Sequence, residues 1–160
     1  MAEPHADRPF VPGYGIPETL DGMLPWSWAQ GRLERAIVYW LATAGSDGAP
    51  HVIPIWGAWV GRRWYVEGGP TRWQRNLREN PQLAIHIEIG DEVVIVEGPA
   101  IELVAPPSPL SEAILAGYAK YRPGYAADAA NWAEGGLWEL RPVKAFAWSV
   151  FPADMTRFRF

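Results

Sequence analysis

Between Ala36 and Gly68 the chain carries three strand-forming runs joined by turns too short for a crossover, and this narrows the folds open to it. AIVYWLATA (Ala36–Ala44) is rich in β-branched and aromatic residues, and SDGAP (Ser46–Pro50) is a turn signal. HVIPIWGAWV (His51–Val60) is a second run, and Gly61–Arg62 reads as a tight hairpin into RWYVEG (Arg63–Gly68). Strands joined this way pair antiparallel, whereas a βαβ fold needs connections of about a dozen residues or more. Pro54 cannot donate to a ladder, so its run belongs at an edge or a bulge, leaving backbone groups open to a ligand.

Further strands are expected at QLAIHIEI (Gln82–Ile89), EVVIVEGPAIELV (Glu92–Val104) and LWELRPVKAFAWSV (Leu137–Val150). Helices are expected at WSWAQGRLER (Trp26–Arg35), at the segment after Thr71 that Asn80–Pro81 stops, and within Pro107–Tyr121. Residues 1–25 hold Pro4, Pro9, Pro12, Pro17 and Pro25 with Gly13, Gly15 and Gly22, the composition of an extended arm. Residues 26–160 then form one domain, mainly β: an antiparallel barrel with added helices. The Gly/Ala-rich stretch Arg122–Gly136 gives no periodic signal.

Composition removes several functions. The protein has 160 residues and a formal net charge of -4, so nucleic acid is not expected as the main partner, because binding phosphates needs a cationic surface. It has no cysteine, which excludes disulfides, thiolate nucleophiles and thiolate metal sites. His5, His51 and His86 stand apart with no metal-ligand spacing, so no metal site is expected. No apolar run suits a membrane span and no secretory leader is visible, which makes the cytoplasm the expected location. There is no G-x-S-x-G, Walker motif or strand-linked G-x-G-x-x-G, and Asp91, Glu92 and Glu97 read as hairpin surface acids. The ten tryptophans and six tyrosines serve packing or wall a pocket for a planar ligand.

One motif points to a ligand. In GGPTRWQRNLRENP (Gly68–Pro81) a helix begins with Arg72 and Arg75 in its first turns and no acid before Glu79, against the preference of the helix dipole. Thr71 suits the N-cap, and Gly68–Gly69 allow close backbone approach. Arg72, Arg75 and Asn76 are spaced to share one face, with Trp73 and Leu77 on another. An anion would draw together the helix N-terminus, the hydroxyl and the guanidinium groups. The alternative is a solvated basic face paired with Glu67 or Glu79.

These motifs in order, LAT before D-G-x-P-H, then P-I-W-G, T-R-W-Q-R-N-L-R-E-N-P and V-E-G-P-A, resemble the pyridoxamine 5′-phosphate oxidase-like flavin and deazaflavin oxidoreductases. The resemblance spans about residues 26–103, with a weaker echo in the closing T-R-F-R-F. It implies an FMN-binding split β-barrel that forms a homodimer with cofactor sites at the interface. By the same resemblance Thr71 and Arg72 grip the cofactor phosphate. Trp73 stands where Lys is common, leaving Arg75 and Asn76 to supply more of the contact. Val52, Ile53, Pro54, Ile55 and Trp56 would run along the isoalloxazine edge, and Glu67, Gly68 and Gly69 would flank the ribityl chain. The activity implied is FMN-dependent hydride transfer at the flavin N5 to or from a small molecule, with no catalytic side chain to name. A deazaflavin (coenzyme factor 420) reductase is one alternative. A non-catalytic flavin or haem carrier, with His51 as haem ligand, is another. The closing segment offers only Arg157 and Arg159 as a substrate region, so oxidation of pyridoxamine phosphate itself is not expected.

Overall fold

The alternating runs form strands, and the chain breaks wherever it passes from one half of a barrel to the other. The computed structural model describes residues 3–160, so the first two positions of the expected arm lie outside the described residues. In chain order the elements are β1 (His5–Asp7), α1 (Trp26–Arg35), β2 (Tyr39–Ala44), β3 (Pro50–Ile55), β4 (Ala58–Val60) and β5 (Arg63–Glu67). They continue with α2 (Arg72–Glu79), β6 (Gln82–Ile89), β7 (Glu92–Leu103), α3 (Leu110–Tyr118), β8 (Leu137–Leu140), β9 (Lys144–Trp148) and β10 (Thr156–Arg159). Short 3₁₀ turns occupy Ala119–Tyr121 and Ala129–Trp132. Among the described residues no helix is long and apolar enough to cross a membrane.

All pairings are antiparallel. One path runs β1-β10-β9-β7-β6-β2-β3, and a second branch runs from β7 through β8 and β5 to β4. The 12-residue β7 joins the two halves: Val93–Glu97 pairs with β9, and Ala100–Leu103 pairs with β8. Two expected single strands are therefore each two. Leu137–Val150 breaks at Arg141–Val143, where the Arg141 and Val143 N–H groups donate to the Pro99 and Glu97 carbonyls at 2.9 Å. His51–Val60 breaks at Trp56–Gly57, between β3 in one branch and β4 in the other. β3 ends its branch and bears Pro54, the edge position that a proline requires.

Gly57 is buried against Trp64, whose indole would lie 2.4 Å from any Cβ placed there. Its N–H donates to the Tyr121 hydroxyl at 3.0 Å, and that hydroxyl donates to the Gly57 carbonyl at 2.9 Å. Inside the barrel, α1 fills one end by burying Trp26, Ala29 and Leu33, with Trp26 edge-on to Phe158 at 5.2 Å. A second apolar cluster under α3 gathers Tyr65, Ile114, Tyr118, Tyr121 and Trp132.

Within the proline-rich arm, β1 adds an edge strand to β10. Arg157 grips the Asp7 carboxylate at 2.6 and 2.9 Å, and Arg159 joins at 3.2 Å. Arg8 fastens the following loop by donating to the Thr19, Asp21 and Met155 carbonyls. The closing arginines are thus engaged in holding the arm.

Two outcomes are expected. Tyr121→Phe leaves both polar groups of Gly57 buried without that partner, and should lower stability in urea denaturation by about 1–3 kcal/mol. The arm should also loosen in acid. Pairing with Arg157 holds the Asp7 carboxyl below its ordinary 3.8, so the stabilisation is present above that value and is lost as pH falls through the lowered one. Amide exchange over His5–Asp7 should rise there, and Asp7→Asn should show the faster exchange already at neutral pH.

Candidate functional site

The break at Trp56–Gly57 opens a cleft between β3 and the segment that follows α3. Val38, Pro54, Ile55, Trp56, Glu67, Tyr118 and Tyr125 line a cavity of about 410 Å³. A second cavity, of about 370 Å³, shares Glu67 and Tyr125 and continues along Gly68, Gly69 and Trp132. Trp56 is thrown outward by the break and stacks on Tyr121 at 5.0 Å and 16°.

Glu67, where β5 ends, stands between the two cavities. Its carboxylate accepts from the Tyr125 hydroxyl on one oxygen and from the Trp132 indole N–H on the other. Its backbone N–H donates to the Tyr118 hydroxyl at 3.2 Å. Burial, with the Glu67 charge adding to it, pushes the Tyr118 and Tyr125 phenols well up, so both stay protonated.

The glycines past Glu67 are fixed from both sides. The Gly68 N–H donates to the Gly136 carbonyl at 3.2 Å, and the Gly68 carbonyl accepts from the Gln74 amide at 2.8 Å. A Cβ on Gly68 would crowd the Trp73 ring at 3.1 Å, whereas the space at Gly69 is open.

α2 begins with neither a side-chain cap nor an acid: Thr71 stands at the N-cap in extended conformation and makes no side-chain capping bond. Trp73 and Leu77 are buried, Trp73 edge-on to Trp138 at 6.3 Å. Arg78 pairs with Glu102 at 2.9 Å. Glu79 accepts from the Ser46 hydroxyl at 2.8 Å, and Glu67 is held by Tyr125 and Trp132, so neither acid neutralises the helix. Arg72 and Arg75 are exposed, and their side chains make no ion pair or hydrogen bond among the described residues.

Asn76 does not join them. It is buried and donates to the Thr43 hydroxyl at 3.0 Å, because four residues along a helix is 40° off axis and the buried face begins within that angle. The expected strand positions divide similarly. Pro54, Ile55 and Trp56 line the first cavity, Val52 is exposed outside both, and Ile53 packs on the core. Thr71, Arg72 and Arg75 line neither cavity and follow directly on the Gly68–Gly69 floor of the second. Tyr118, Tyr125, Trp132 and Gln74 were missed as site residues, since only the tertiary fold brings them to Glu67 and Gly68.

Comparison with known proteins agrees with this architecture. A family model described as pyridoxamine 5′-phosphate oxidase matches residues 29–149. A conserved hypothetical protein from Mycobacterium tuberculosis superposes with a TM-score of 0.65 at 21% identity, over 82% of this chain and 88% of that one. A structure described as an F420 reductase gives a TM-score of 0.57 at 25% identity, over 72% of this chain and 94% of that one. A FAD-binding protein from Mesorhizobium loti gives 0.63 at 18% identity, over 84% and 93%. Proteins described as binding or storing haem share the fold as well. No curated protein matches by sequence.

Proposed function

The chain belongs to the pyridoxamine 5′-phosphate oxidase family, with its FMN-binding split-barrel fold, and from that premise we propose that it is an FMN-dependent oxidoreductase acting on a small organic substrate. The family also includes F420 reductases and haem-binding proteins, so the choice among cofactors rests on this chain's own residues.

One observation carries the reading: two arginines with unpaired side chains on the first turns of a helix that has no acid before Glu79, two residues after the Gly68–Gly69 pair. These residues fit a phosphate. Arg72 and Arg75 supply charge-assisted donors, the α2 N-terminus adds its partial positive charge, and the uncapped Thr71 hydroxyl is free to join. Gln74 positions the Gly68 carbonyl, and Asn76 ties α2 to β2 through Thr43 so that the arginines stand on a fixed base. FMN, when bound, supplies two-electron chemistry at its N5. Pro54, Ile55 and Trp56 offer a flat apolar wall for a ring, and Tyr118 and Tyr125 keep water from its far side.

A homodimer is part of the proposal. Ile37, Val38, Trp40, Val52 and Trp56 expose apolar surface beside the β3 edge, where a second copy would cover it. A deazaflavin is the second reading, favoured by the 25% identity to the F420 reductase and by Trp73, which removes a cation from the phosphate side.

The absorption spectrum of the purified protein tests the choice. Flavin bands that move to the supernatant on acid precipitation are expected. A colourless protein that ignores FMN and takes up a deazaflavin would overturn the proposal in favour of the second reading, and a Soret band would point to a haem carrier. Arg72→Ala should weaken FMN binding by roughly 1.5–3 kcal/mol and leave riboflavin, which lacks the phosphate, nearly unaffected. Equal losses for both ligands would assign Arg72 to the fold.

A further inference from the structure

The sequence has only two lysines, Lys120 and Lys144, and their surroundings differ. Lys144, in β9, pairs with Glu97 at 2.8 Å. Lys120 is half-buried in the 3₁₀ turn after α3, and no carboxylate pairs with it among the described residues. Its ammonium donates to the Tyr39 hydroxyl at 3.1 Å and to the Glu34 carbonyl at 3.2 Å. It also stands over the rings of Tyr39 and Tyr121, 5.0 and 5.3 Å from their centroids. The Glu34 carboxylate is turned to the Gln30 amide at 2.8 Å. Both phenols are neutral: burial pushes Tyr39 far above its ordinary 10 and Tyr121 up to about 12.

An amine in this setting has acceptors for its protons but no charge to balance its own. Ring faces and a carbonyl at the end of a helix favour the ammonium, each modestly, and loss of water opposes it. Burial is the larger effect here. It brings Lys120 down from 10.5 to about 8, which leaves about a tenth of it neutral at neutral pH. Desolvation of this kind turns a lysine into a nucleophile. The hydrogen bond to the Glu34 carbonyl lies at the surface, so a small electrophile can approach from that side.

We propose that Lys120 is a nucleophilic amine that captures small aldehydes as an imine. The nitrogen bonds to the carbonyl carbon, its two protons pass to the carbonyl oxygen, and that oxygen leaves as water. Amine and aldehyde give imine and one water, with no oxidant or reductant. The Tyr39 hydroxyl keeps a partner when those protons go, since it donates to the Leu33 carbonyl at 2.5 Å. The Glu34 carbonyl, at the surface, is served by water instead. Lys120 lines neither cavity beside Glu67, so this site stands apart from the cofactor reading.

Lys144 serves as the internal reference. The purified full-length protein is treated with propanal and cyanoborohydride, which reduces each imine to a stable N-propyl group, and the two lysines are compared by peptide mass spectrometry. At neutral pH Lys120 should be alkylated about tenfold faster than Lys144 or better. The ratio should fall as pH rises beyond about 8, where Lys120 gains little further neutral amine. In concentrated urea the two lysines should react alike. Lys120→Arg should abolish the fast phase of labelling, and a fast phase that survives would place the reactive amine elsewhere. An excess at Lys120 that persists in urea would overturn the proposal. So would a Lys120 that reacts no faster than Lys144 in the folded protein, which would leave it only the task of tying the end of α1 to β2.

Discussion

The Tyr121 hydroxyl serves both backbone polar groups of Gly57, accepting at 3.0 Å and donating at 2.9 Å, at the point where the chain leaves one half of the barrel for the other. The joint admits no side chain, because the Trp64 indole fills the space where one would stand. An unserved N–H and carbonyl at this depth would disfavour the crossing altogether. With the hydroxyl in place, β3 ends as an edge strand, β4 begins in the other branch, and Trp56 is turned out onto Tyr121. The same segment brings Tyr118 and Tyr125 over Glu67. The site is therefore a by-product of how the barrel is split.

α2 shows how packing separates structural from available charge. Trp73, Gln74, Asn76 and Leu77 are buried by the barrel, and Arg78 is taken by Glu102. What remains outward is Arg72 and Arg75, together with a Thr71 hydroxyl that makes no cap. Trp73 occupies a position where the resemblance leads one to expect a lysine, and the structure gives it a packing task beneath Gly68 and against Trp138. With a tryptophan at that position, the exposed cations of the first turns are Arg72 and Arg75, one on either side of it.

Much of this was legible in the sequence where local signals agree. The bounds of α1 and the stop of α2 at Asn80–Pro81 follow from proline and periodicity, and Pro54 marks β3 as an edge. The barrel class follows from turn-linked strands. Local reading failed where tertiary contact decides. HVIPIWGAWV is apolar throughout after His51 and reads as one strand, and the break at Gly57 is decided by Trp64 and Tyr121 closing on it. Asn76 has the right spacing for Arg72 but belongs to Thr43. Arg157 and Arg159 looked available at the chain end and are engaged by Asp7 from the opposite end. Tyr125 and Trp132 sit in a stretch without periodicity and acquire meaning only through Glu67, 58 and 65 residues away in sequence.

On the proposed function, a phosphate-bearing flavin is held at the start of α2 with its ring toward Pro54–Trp56. A crystal structure of the protein grown with FMN tests it most directly. The phosphate is expected within hydrogen-bonding distance of the Arg72 and Arg75 guanidinium groups, and the ring against the β3 edge. A phosphate seated elsewhere, or no bound cofactor at saturating FMN, would contradict it.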